Sequence, residues 1–334
     1  MLPQPLKPAI KRGALIAAAN WQVTFVQATA DSLFKLLLAA PIIGGVFLVA
    51  LAIGSEPETL ISLEWRVMAA TIVSLLLSQP IVLTAFLLAV AVVAVGGSFF
   101  VFLVKAGTVA TLVRSDRESG AIEEPPLHVD VVARAARFSM DSYVESARAL
   151  FPRYARLGCV LMGVYLASGA GYLALVANRV GGDGIGVAAL YTAAFVAWIT
   201  LVNLFYLLVQ IVIAADDCSV AAAAPRVVAF LRKELRNVSS VFGLVAALVV
   251  GATGASLLAT AALGLVAFVP FVGLAALPLQ LGAWLLRGLV FQYIGLTSVG
   301  AYLKLYRAFA GHMLVHHNHD RLQQVSFANG TSTS

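Results

Sequence analysis

The chain has 334 residues, 61% of them hydrophobic and only 11% charged. Soluble globular domains carry about 25% charged residues, so a water-facing surface is excluded for most of this chain. The formal net charge of +6 is spread along the apolar chain rather than gathered in a basic domain, which excludes nucleic acid as a partner and points to anionic membrane lipid.

The start, MLPQPLKPAIKRGALIAAANWQ, has a basic cluster but no compact apolar run followed by a small-residue cleavage site. No cleaved leader is read there. PAIKRGALIAAANWQVTF reads instead as a surface helix, with Trp21 at headgroup level. A membrane helix needs roughly 20 apolar residues. The runs that supply them are 32–53, interrupted by Pro41, then 81–104, 157–176, 187–214, 239–268 and 277–302. Val67–Val104 is 38 residues long, about 57 Å as one helix, against a hydrocarbon core of ~30 Å. It is read as one span from Ile81, bent at Pro80 away from a helix on the outer surface.

Between the second and third spans lies LHVDVVARAARFSMDSYVESARALF. Asp130, Arg134, Arg137, Asp141, Glu145 and Arg148 recur every three or four residues, and Val132, Ala136, Met140, Tyr143, Ala147 and Phe151 do so on the opposite face. That periodicity predicts an amphipathic helix with ion pairs along its wet side. PRVVAFLRKELRN, opening on Pro225, predicts a shorter one before the fifth span. The chain thus repeats surface helix, outward span and return span three times.

Charge tests the sidedness. With the N-terminus inside, 18 of the 22 basic residues fall on the inner side, as cytoplasmic loops require. The expected fold is an all-α integral membrane protein with six transmembrane helices and amphipathic cytoplasmic surface helices in three helix–span–span repeats. Residues 1–310 form one membrane domain and 311–334 a polar, partly disordered cytoplasmic tail. Alanine, valine, glycine and arginine usage suggests a bacterial cytoplasmic (inner) membrane, with both termini cytoplasmic. Cys159 and Cys218 are expected as reduced thiols.

VQIVIAADDCSVAAAAPRVVAFLRKELRNVSSVFGLVAALVVG has a cadence of its own: a span closing on acidic residues, a small-residue linker, a basic helix, a glycine-containing span. VKAGTVATLVRSDRESG is similar in kind. Over about residues 80–305 the pattern resembles prokaryotic polytopic membrane proteins related to the membrane domain of glycerophosphodiester phosphodiesterases. No soluble barrel and no spaced His/Glu/Asp set accompanies it, so the resemblance implies a fold and not that catalysis.

Few residues look like chemistry. Arg287, in LGAWLLRGLVF, falls inside the sixth span, where a charge is expensive and commonly functional. Gln280, Gln292 or a lipid phosphate can serve it, which makes Arg287, Gln280 and Gln292 the candidate anion or lipid contact. Asn203 and Gln210, seven apart in the fourth span, suit helix–helix hydrogen bonds or a polar pathway. GATGAS and GLTSVGAY place small residues for close helix approach. Lys35 is read as reaching to the inner surface. His312, His316 and His319 would share a helix face suited to Zn²⁺ or Ni²⁺, but no scaffold surrounds them and adventitious binding is the expectation. No cofactor is implied. The reading is a non-enzymatic structural or accessory membrane protein contacting anionic lipid, with protein partners or homo-oligomerisation left open. The rival is a small transporter or lipid-handling permease with Arg287, Asn203 and Gln210 around an internal polar cavity.

Overall fold

The computed structural model describes residues 6–53, 74, 77–125, 129–136, 138–179, 184–267 and 272–330; side chains at 46, 48–53, 129, 177–179, 184–185, 266–267, 272–277 and 312–330 lie outside the description. Among the described residues every regular element is a helix. In chain order these are α1 Leu6–Ala19, α2 Trp21–Ile53, α3 Pro80–Glu118, α4 Val129–Ala135, α5 Met140–Arg179, α6 Gly184–Asp216, α7 Val220–Ala267 and α8 Val272–Gly330. Among the described residues five stretches are long and apolar enough to cross a membrane: Trp21–Gly45, Pro80–Glu118, Met140–Val176, Gly186–Asp216 and Val220–Leu265.

The helices ignore several boundaries expected from composition. The predicted surface helix over 127–151 is broken into α4 and the start of α5. The break has a local cause: the Ala135 carbonyl accepts from Asn20 Nδ2 at 2.9 Å and from Ser115 Oγ at 2.6 Å. Those side chains satisfy a helix-end carbonyl that would otherwise lack a partner. α5 then runs through Pro152 without interruption, so the wet segment and the third span are one rod. α7 likewise starts at Val220, five residues before Pro225, after Ser219, whose carbonyl accepts the Ala223 N–H at 2.9 Å. Its basic stretch is set off from the apolar part by a kink at Glu234, where φ is −113° and ψ 22°. Pro80 begins α3 at its first turn, where a missing N–H costs nothing.

Among the described residues burial is concentrated at one end of the bundle. In α3 the buried run is Phe102 to Asp116, while Leu88 and Val92 are exposed. In α6 it is Tyr206 to Ile213, with Leu190 and Val196 exposed. α5, α7 and α8 follow suit, with buried Tyr143, Phe230 and Tyr302 against exposed Leu173, Leu258 and Leu286. Exposed leucine and valine rows on hydrogen-bonded helices suit hydrocarbon, where every backbone group must be satisfied within its own helix.

α1 seals the packed end. A Cβ on Gly13 would stand 2.2 Å from the Thr297 carbonyl oxygen, and one on Gly300 2.7 Å from Gly13 Cα. GLTSVGAY therefore packs against the N-terminal helix α1. GATGAS differs from expectation: Cβ atoms on Gly251 and Gly254 would meet nothing within 4 Å, so its small residues bring no neighbour close. Gly13→Ala should lower the melting temperature of the detergent-solubilised protein, with an overpacking cost of about 1–3 kcal/mol. Gly254→Ala should fall within about 1 kcal/mol of the parent, since it adds helix propensity and no clash.

Candidate functional site: an ion-pair knot and a cationic recess

Arg12, on the turn of α1 beside Gly13, reaches across to the end of α3. Its Nε donates to Asp116 Oδ1 at 2.5 Å. Nη1 donates to the Gly120 carbonyl at 2.6 Å and to Glu123 Oε2 at 2.7 Å. Nη2 donates to the Asp116 carbonyl at 2.8 Å and to Ser119 Oγ at 3.1 Å. A guanidinium has five N–H donors, and all five are spent here. Gly120 makes this possible: its φ of +57° turns the chain out of α3 and presents its carbonyl to Arg12. Arg307 of α8 pairs with the other oxygen of Asp116, whose side chain is 1% exposed, and Lys304 pairs with Glu123. Lys11 Nζ adds a bond of 2.8 Å to the Glu123 carbonyl.

A second set of ion pairs adjoins the first. Asp216 Oδ2, at the end of α6, accepts from Arg226 of α7 at 2.6 Å and from the Tyr306 hydroxyl of α8 at 2.6 Å. Asp217, in the left-handed region at φ 47°, pairs with Arg153 of α5. Arg117 of α3 donates to the Ala215 carbonyl. The acidic residues that close the ADD cadence are thus the clamps that fasten α5, α7 and α8 to the end of α6.

Beyond the packed core, towards the exposed halves, α2, α7 and α8 enclose a cavity of about 440 Å³. Asp31, Ser32 and Lys35 line it from α2, Thr253 from α7, and Trp284, Arg287 and Gln292 from α8. A second cavity of about 300 Å³ shares Asp31 and Gln292 with it, and adds Gln27 of α2 and Lys105 of α3. Three cations face one carboxylate here. Asp31 pairs with Lys35 at 2.6 Å. Lys105 Nζ lies 5.6 Å from the Tyr206 ring centre, and the Arg287 guanidinium 5.6 Å from that of Phe291. Among the described residues Arg287 forms no ion pair. No protein-family model matches the chain, and neither does any curated protein or solved structure.

Arg287 and Gln292 therefore line one recess. Gln280 joins Arg287 in an adjacent cavity of about 590 Å³ between α7 and α8. Asn203 and Gln210 stand elsewhere. Asn203 Oδ1 accepts the Tyr165 hydroxyl of α5 at 2.5 Å, and the Gln210 carbonyl accepts that of Tyr154 at 2.8 Å. Both join α6 to α5, and neither shares a cavity with Arg287. The backbone of His312, His316 and His319 belongs to α8, and their side chains lie outside the described residues. Among the described residues no group of three His, Cys, Asp or Glu could hold a metal ion.

Sequence reasoning missed Asp31 and Lys105 as partners of Lys35 and Arg287. α2 begins at Trp21, eleven residues before the predicted span, so DSLFK lies well along a membrane-length helix rather than at its mouth. The i,i+4 spacing of Asp31 and Lys35 was a usable signal. Nothing in the sequence ties Arg12 to Asp116, 104 residues away.

Burial pushes the Glu123 carboxyl up, but hydrogen bonds from Lys304 and Arg12, a backbone bond and the Arg12 charge outweigh it and hold it below its ordinary value. A carboxylate depressed in the folded state stabilises the fold above its unfolded pKa, about 4.3 for glutamate, and loses that contribution on acidification. Thermal melts of the parent from pH 7 to pH 3 should show a falling melting temperature below about pH 4.3. Glu123→Gln should be less stable at pH 7, and its melting curve should respond less to the same acidification.

Proposed function

We propose that this chain is a non-enzymatic, six-span protein of a bacterial cytoplasmic membrane that binds anionic lipid at Arg287. α8 supplies the sixth span, both termini face the cytoplasm, and amphipathic surface segments before the first, third and fifth spans mark a threefold helix–span–span repeat. The fold relationship is to the membrane-domain group that the ADD cadence resembles. The observation that carries the lipid contact is Arg287 itself: an exposed arginine in the apolar half of a helix, without an ion-pair partner among the described residues, lining cavities with Gln280 on one side and Lys35 and Gln292 on the other. An uncompensated charge at that position needs an anion or polar headgroup to offset its desolvation.

The permease reading draws less support. Asn203, which it would place around the transport cavity, uses its side chain to bond Tyr165 of α5 and the Ile199 carbonyl, and Gln210 meets α5 only through its backbone carbonyl; neither lines the recess at Arg287. Sidedness has its own support, because basic residues of α1, α3, α5, α7 and α8 meet in one network at the packed end.

Native mass spectrometry of the detergent-extracted protein should find phosphatidylglycerol or another anionic phospholipid retained by the parent. Arg287→Leu should fold normally and lose it, with the anionic-to-zwitterionic ratio falling about fivefold; an unchanged ratio would count against the reading. Topology is tested by Glu124→Cys in a background with Cys159 and Cys218 replaced by alanine. A membrane-impermeant maleimide should label Cys-free and Glu124→Cys cells equally until they are permeabilised. Labelling of intact cells would invert the topology.

A further inference from the structure

A second lipid site, separate from Arg287, is carried by the other side of the bundle. α5, α6 and α7 enclose a cavity of about 570 Å³, within the ~300–1,000 Å³ range of ligand pockets. Its walls are almost wholly apolar: Leu161 and Val164 from α5, Trp198 and Phe205 from α6, Leu235 and Phe242 from α7. Ser239 is a rare polar group among them. α6 forms the back wall, and α5 and α7 hardly touch one another, so the space stays open between them. From Leu231 to Phe242 the cavity follows α7 for about 16 Å at ~1.5 Å per residue.

Charge flanks the inner part of this space: Arg156 directly precedes Leu157, and Arg232 and Arg236 directly follow Leu231 and Leu235. Arg156 sits four residues before Val160, and Arg232 and Arg236 sit seven and three residues before Ser239. On the continuous α5 the first spacing puts Arg156 on the face of Val160, about one turn nearer the packed end, and Arg236 stands about one turn before Ser239 on the far side of the kink at Glu234. All three arginines are exposed, and none forms an ion pair with a described residue. Glu234, the carboxylate between two of them, instead accepts from Asn237 Nδ2 at 2.6 Å. The kink of α7 falls at that same Glu234, so the helix changes direction between Arg232 and Arg236, within the stretch that lines the cavity.

We infer that this cavity holds an acyl chain of an anionic phospholipid, with its phosphate against Arg156, Arg232 and Arg236. The apolar wall offers nothing to a water-soluble anion, and the arginines offer nothing to a neutral tail; a lipid with a negative headgroup satisfies both. The inference rests on the chain crossing a bilayer, but not on Arg287.

Trp198 lies in the cavity wall and reports on it. The protein with Trp21, Trp65 and Trp284 replaced by phenylalanine is reconstituted in phosphatidylcholine vesicles doped with phosphatidylglycerol bearing brominated acyl chains. Trp198 fluorescence should be quenched at a mole fraction about fivefold lower than with brominated phosphatidylcholine. In R156Q/R232Q/R236Q the two quenching curves should coincide. Ser239→Phe, which fills the cavity without changing charge, should weaken quenching by the anionic lipid. Arg287→Leu should leave the preference intact. Equal quenching by both lipids in the parent would overturn the inference, as would a preference that survives R156Q/R232Q/R236Q or one that is abolished by Arg287→Leu. If the arginine substitutions remove the preference while native mass spectrometry finds no effect of Arg287→Leu, this site stands and the one at Arg287 falls.

Discussion

The fold depends on a single guanidinium whose every donor is taken. Arg12 is 11% exposed and Asp116 1%, and burying such a pair repays its desolvation only when the remaining hydrogen bonds are also made. Here they are made by the Gly120 and Asp116 carbonyls, Ser119 and Glu123. Removing one partner would leave the other charge buried without compensation. Because Arg12 comes from α1, Asp116 from α3 and Arg307 from α8, the arrangement fixes three helices that are remote in sequence. It also sets the geometry at which Gly13 and Gly300 can meet backbone to backbone.

This placement of polar contacts has a physical logic. In hydrocarbon, helix association gains nothing from burying leucine, since lipid tails are equally apolar. Packing and polar contacts must carry it. In this chain both are concentrated at one end, where ion pairs, tyrosine hydroxyls and the glycine contact coincide. The opposite halves of the helices carry exposed leucines and valines and make fewer such contacts, among them Gly45 against Phe86 and Tyr172 stacked on Phe195, leaving cavities between α2, α7 and α8 and between α5, α6 and α7.

That distribution was partly legible. Hydrophobic run length alone located the apolar part of each membrane-length helix, because composition sets which residues avoid water. It did not locate the helix ends. Pro225 was read as a helix start and is an interior residue of α7, as Pro152 is of α5, since a long rod already held at many points tolerates one lost backbone bond. The break at Ala135 was invisible for the opposite reason: its periodicity is helical, and the side chains that meet its end come from elsewhere, Asn20 from the turn between α1 and α2 and Ser115 from α3. Arg287 was legible because an arginine in an apolar run is anomalous by itself. Its neighbours on α2 were not, because Asp31 and Lys35 form an ordinary helical pair until α7 and α8 are folded against them.

The two cavities differ in what they lack. Around Arg287 the protein supplies three cations, several amides and hydroxyls, and one carboxylate, Asp31, which leaves an excess of positive charge. Between α5 and α7 it supplies a deep apolar wall with arginines flanking its inner part, and lacks both a tail and a phosphate. A soluble ligand could complete the first but not the second, whereas an anionic phospholipid could complete either. If lipid fills both, the knot at Arg12 acquires a further consequence. By holding α1, α3 and α8 rigidly at one end, it keeps the distance between α2 and α8 from relaxing around an empty recess, so the lipid meets a preformed site and little of its binding energy is spent on ordering the helices.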